Sequence, residues 1–101
     1  MVEINWIDQA IEDIRNIAEF IAKNSEKYAA IQTNRFFERV NIPETFPFSG
    51  KIVPEINNKS IRELSLGNYR IIYFIKNKKT IDILTIHNGF MLLKNSRTFK
   101  K

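Results

Sequence analysis

The sequence contains no cysteine and a single histidine, His87. The first absence excludes disulfides, thiol nucleophiles and Cys-ligated zinc. One histidine leaves no basis for a His-based metal site, and no cofactor is expected. No apolar run approaches the roughly 20 residues that span a bilayer. The start, "MVEINWIDQA", has neither a basic n-region nor a continuous apolar h-region. These absences place the expected protein in the cytoplasm, with no membrane partner. No internal repeat or low-complexity segment is visible.

What is present suits one small ordered domain. A chain of 101 residues is too short for two independent cores. Its 44% apolar and 27% charged content argues against disorder. The net charge of +5 is unevenly spread. Residues 1–22 hold five acids and one base, whereas residues 51–101 hold eleven bases and three acids. Such asymmetry fits a basic face offered to a polyanion or an acidic partner, and equally a solvated, lysine-rich surface.

Periodicity gives the elements. Val2, Ile4 and Trp6 alternate as in a short strand. Ala10, Ile11, Ile14, Ile17, Ala18 and Ile21 then recur at three- and four-residue spacing, so 8–23 reads as an amphipathic helix. Asp8 stands where a carboxylate takes up free N–H groups and complements the dipole, with Glu12, Asp13 and Glu19 on the solvated side. Ser25 is a good N-cap for a second helix whose stripe is Tyr28, Ala29, Thr33, Phe36, Phe37 and Val40. Pro43 is expected to end or distort that helix near residue 42.

"FPFSGKIVPEINNKS" (46–60) reads as a loop with a short extended piece at 51–54. The period then becomes two. "IRELSL", "YRIIYFI" and "TIDILTIH" are strands, with Gly67-Asn68 a tight turn and "KNKK" a second one. The expected fold is α+β, in the order β-α-α-β-β-β. An N-terminal strand precedes an antiparallel helical hairpin, which packs on one face of a twisted antiparallel sheet. The domain is expected over 1–93, with a basic, frayed tail at 94–101.

In "LGNYRIIYFI" (66–75) Arg70 interrupts an apolar strand. It is either a solvated edge side chain or a charge held in place by the sheet. Arg62 and Glu63 are adjacent in one strand and point to opposite faces. A salt bridge from Arg70 to Glu63 across Gly67-Asn68 is the structural alternative to any functional role. Lys51, Lys76, Lys78 and Lys79 stand in loops, where they contact phosphates or simply remain solvated. Tyr69, Tyr73 and Phe74 offer rings for base stacking, or else form cross-strand and core contacts.

Trp6, Ala10, Asp13-Ile14, Ile17, "FIA" (20–22), "FPFSG" (46–50), "VPE" (53–55), "IREL" (61–64), "GNYRIIYFI" (67–75) and "ILTIH" (83–87) together resemble the RelE/ParE toxins of bacterial type II toxin–antitoxin pairs, best the ParE branch. The resemblance runs from residue 2 to about residue 93. It implies the same helical hairpin on a sheet, and a cognate ParD- or RelB-like antitoxin whose flexible tail folds along the toxin in a hetero-oligomer. A ParE-like chain is implied to be a non-enzymatic plasmid-stabilisation toxin that binds a target such as DNA gyrase. Lys51, Arg62, Lys76, Lys78 and Lys79 are the candidate nucleic-acid or target contacts.

A RelE-like chain is implied instead to be an mRNA endoribonuclease acting on ribosome-bound messages. Arg70 would then stabilise phosphate charge, and Glu63 or His87 would move protons. Phe90, Met91, Leu92 and Leu93 form an apolar patch, either core or an antitoxin or target surface. After His87 the chain reads "NGFMLL", without the basic, acidic or tyrosine side chains common there in RelE-like nucleases. That departure motivates a third reading, an inert antitoxin-binding homologue.

Overall fold

The alternation at the N-terminus becomes strand β1 (Glu3–Trp6), whose Ile4 and Trp6 side chains lean on the main core together with Val2 just before it. The computed structural model describes residues 2–88. The expected patch Phe90–Leu93 and the basic tail 94–101 lie outside the described residues. Helices α1 (Asp8–Ala22) and α2 (Glu26–Arg39) form the expected hairpin. Ser25 caps α2, its Oγ accepting from the Tyr28 N–H at 3.0 Å. The N-cap of α1 is Ile7, which makes no side-chain bond. Asp8 therefore acts through its charge in the first turn and not as a cap.

The second helix ends at Arg39, and a short helix α3 (Asn41–Thr45) follows. Pro43 lies inside its first turn, where a missing N–H removes no intrahelical bond. Strands β2 (Lys51–Ile52), β3 (Ile61–Leu66), β4 (Tyr69–Ile75) and β5 (Thr80–Asn88) complete one sheet in the order β1-β5-β4-β3-β2. The β2–β3, β3–β4 and β4–β5 pairs are antiparallel, as expected. β1 lies parallel to β5, so the sheet is mixed. The helices between β1 and the rest of the sheet supply the long crossover that a parallel neighbour requires.

The helices cover one face, burying Ala10, Ile14, Phe36 and Val40 against Leu64, Ile71, Tyr73, Ile81, Ile83 and Ile86. Not every expected stripe residue goes inward, for Tyr28 and Phe37 remain exposed. Phe37 instead meets Trp6 with ring centroids 4.9 Å apart. On the other face Val53 and Ile72 form a smaller core with Ile56, Ile61 and Leu84. The segment between β2 and β3 thus covers part of the sheet surface opposite the helices.

Asp13 corrects the view of α1 as polar on its outer side. β1 ends at Trp6, opposite Ile83, leaving the edge of β5 without a strand partner from there on. The Asp13 carboxylate fills the gap. Its Oδ2 accepts from the Ile86 N–H at 3.0 Å and from the Thr85 hydroxyl, and its Oδ1 accepts from Gln9. Asp13→Ala strands the Ile86 donor and the buried Thr85 hydroxyl, and is expected to lower unfolding free energy by about 1–3 kcal/mol. Asp13→Asn, which keeps one acceptor oxygen, loses less in the same urea titration.

Tyr73 pins the 46–50 loop. Its buried hydroxyl donates to the Pro47 carbonyl at 2.7 Å and accepts from the Gly50 N–H at 3.0 Å. Burial raises its pKa, which keeps the donor in place. A Cβ at Gly50 would stand 2.7 Å from both the Glu63 carbonyl oxygen and that hydroxyl. Gly67 has φ +58° but open space around it, so it is constrained by conformation alone. Gly50→Ala and Tyr73→Phe are therefore expected to couple by more than about 0.5 kcal/mol in a double-mutant cycle, whereas Gly67→Ala and Tyr73→Phe add.

Candidate functional site

The residues of β4 alternate between the two sheet faces. Tyr69, Ile71, Tyr73 and Ile75 join the helix-side core, which leaves Arg70 and Ile72 on the opposite face. Glu63 of β3 and Lys51 of β2 are cross-strand partners, and Arg70 stands opposite His87 of β5. The three residues expected as a catalytic set, Arg70, Glu63 and His87, therefore do share one face, with Lys51 beside them. A one-residue bulge makes this possible. Ile72 pairs with Thr85 and Tyr73 with Ile83, so Leu84 is extra. It reverses the alternation that Ile81 and Ile83 begin, turning His87 away from the helices.

The arginine is held along two edges. Its Nε (2.9 Å) and Nη2 both donate to Oε2 of Glu63, a carboxylate only 4% exposed. Its Nη1 and Nη2 donate to Oε2 and Oε1 of Glu55 at 2.7 and 2.9 Å, a bidentate pair. The other Glu63 oxygen lies 3.5 Å from the Lys51 Nζ. Hydrogen bonds from Arg70 lower the Glu55 carboxyl to about 2. The Glu55 pair, and then Glu63, raise the guanidinium against the opposing effect of burial.

Glu55 is the residue that sequence reasoning missed. It projects from a turn in which Ile56 N–H (3.1 Å) and Asn57 N–H (2.8 Å) both donate to the Val53 carbonyl. Asn57 adopts φ 54°, a left-handed conformation asparagine tolerates. Buried Val53 and half-buried Ile56 fasten the turn to the sheet. The apolar–Pro–Glu–apolar order of "VPEI" was the available signal, since two anchors flanking an acid aim that acid at the surface they pack on.

The other expected contacts lie elsewhere. Arg62 points to the opposite side, as its neighbour Glu63 requires. It donates to the carbonyls of Lys59 (2.8 Å) and Gly50 (3.1 Å) and sits 5.0 Å from the Phe48 ring centre. Lys76, Lys78 and Lys79 lie in or beside the β4–β5 turn, about 20 Å along the strand from Arg70. Tyr73 is wholly buried, and partly buried Tyr69 packs on the helix-side core with its ring nearly perpendicular to that of Phe36. Among the described residues no cluster of three or more His, Asp or Glu side chains is placed to hold a metal ion. None of the described helices is long and apolar enough to cross a membrane.

The family model of the ParE toxin of the type II toxin–antitoxin system, parDE, matches residues 4–92. The chain belongs to the ParE toxin family. A solved structure of the chromosomal ParDE TA system from P. aeruginosa matches with a TM-score of 0.70 at 21% identity. The match covers 87% of this chain and 96% of that one, and at this identity it speaks for the fold. No curated protein sequence matches the chain. The β-α-α-β-β-β frame is thus a ParE frame, with Glu55, Glu63 and Arg70 on the sheet face away from its helices.

Glu55 gives this ParE-family chain a distinct acid response. Folding lowers its carboxyl from 4.5 to about 2, so the unfolded chain takes the proton first. The pair contributes fully above pH 4.5, and its contribution is lost as pH falls toward 2. Glu55 is 46% exposed, so screening keeps the contribution below about 1 kcal/mol. Urea titrations across this range are expected to show Glu55→Gln less stable than wild type at pH 7, with the gap closing as pH falls from 4.5 to 2.

Proposed function

We propose that this chain is a growth-arresting toxin of the ParE type, acting by binding a target such as DNA gyrase and neutralised by a cognate antitoxin, with no nucleolytic step. The observation that carries this reading is the double occupancy of Arg70. A guanidinium that stabilises a scissile phosphate must present donors to it. Here one edge is taken by buried Glu63 and the other by Glu55. Glu63 is itself flanked by two cations, Lys51 and Arg70, which suits a counter-ion better than a base waiting for a 2′-hydroxyl proton. Family membership supports the toxin class, and the likeness to that class is the support for an antitoxin and for gyrase as the target.

Tightly controlled expression in a bacterium, with new mRNA 5′ ends mapped within minutes of induction, tests the reading. Growth arrest with intact messages is expected, together with loss of supercoiling by purified gyrase in the presence of the protein. New cuts inside translated messages would assign a ribonuclease instead. Normal growth with soluble protein would leave an inert, antitoxin-binding homologue.

A further inference from the structure

We infer that the outer edge of Arg70 is a receptor for a carboxylate of an acidic protein partner, and that Glu55 is the internal ligand which that carboxylate displaces. The two carboxylates on Arg70 are not equivalent. Glu63 lies within the sheet, 4% exposed, and holds the Nε–Nη2 edge as part of the framework. Glu55 is 46% exposed and comes from a turn outside the sheet. Its bidentate seat on Nη1 and Nη2 is the geometry any incoming carboxylate would adopt. Exchange conserves the hydrogen bonds, because one carboxylate leaves for water as another arrives.

The surroundings favour a carboxylate over a phosphate. With Glu55 withdrawn, Arg70 and Lys51 carry two positive charges against the single negative charge of Glu63. Glu55 stays tethered through Val53 and Ile56, so its charge remains close by. One carboxylate meets less repulsion there than a dianionic phosphate or a polyphosphate backbone. The inference shares the Arg70 ion pairs with the proposed function, but its test reads peptide binding and not growth arrest, so the two can fail separately.

The test is calorimetric titration of the full chain at low salt with a blocked tetraglutamate peptide and, separately, inorganic phosphate. Wild type, Glu55→Gln and Arg70→Lys are compared, each first checked for cooperative thermal unfolding. The Arg70 Nε–H signal is followed by NMR in the first two. Removing the internal competitor is expected to tighten peptide binding about two- to fivefold, the factor that corresponds to an exposed ion pair. The Arg70 signal should move during the titration, and Arg70→Lys, which lacks the fork, should bind more weakly than wild type. If Arg70→Lys does not fold, the comparison of wild type with Glu55→Gln still decides. Equal or weaker binding by Glu55→Gln, or a stationary Arg70 signal, would overturn the inference. Phosphate binding tighter than the peptide and moving the same signal would overturn the assignment to a carboxylate.

Discussion

Strand β4 is buried on both faces, and much of the architecture answers to that. Ile71 and Ile72 are neighbours that point in opposite directions, yet neither has any exposed surface. A strand of this kind needs cover above and below. The helical hairpin supplies one cover through Ala10, Ile14 and Phe36, each worth more as packing than as local helix propensity. The other cover is much thinner. It consists of Val53 and Ile56 from a turn and Ile61 and Leu84 from flanking strands. The position of Glu55 follows directly, because the turn that shields Ile72 carries the acid to Arg70, two residues along the same strand.

That thin cover also explains how a charge survives within the sheet. A carboxylate as buried as Glu63 costs several kcal/mol unless cations and hydrogen bonds compensate it. Lys51 and Arg70 provide them from the strands on either side. Arg70 is then itself 18% exposed and satisfied along both edges. Breaking the inner pair would leave buried charge, whereas breaking the outer pair exposes a carboxylate that already meets water. The gradient from Glu63 to Glu55 is therefore a gradient from buried framework to exposed contact.

Much of this frame was legible in the sequence, because it rests on local patterns. The helical stripes, the Ser25 cap, the Gly67-Asn68 hairpin and the opposed faces of Arg62 and Glu63 all follow from spacing within a few residues. So does the Glu63–Arg70 pair, which the two-residue loop brings onto one face. What was not legible depends on distant partners. The parallel seat of β1 on β5 joins residues 77 positions apart, as in the Asn5–Asp82 bond, and no local period reports it. Asp13 looked solvated because the β5 edge it caps exists only once β1 ends at Trp6. His87 reaches the Arg70 face through the Leu84 bulge, which a strict two-residue count conceals.

The charge asymmetry of the sequence takes a different meaning in three dimensions. Eleven bases in the C-terminal half suggest a single basic face. Seven of them lie among the described residues, and the fold disperses them. Lys51 and Arg70 are tied to carboxylates on one sheet face. Arg62 is turned to the other face, against backbone carbonyls and the Phe48 ring. Lys76, Lys78 and Lys79 stand at the far end of β4, beyond the roughly 8–10 Å over which exposed charges act together at physiological salt. A continuous phosphate-tracking groove needs its cations in line and unoccupied. These cations are separated, and those nearest the candidate site are already engaged. Among the described residues, the basic half of the sequence is therefore a set of separate cations, each with its own surroundings, and not one continuous basic face.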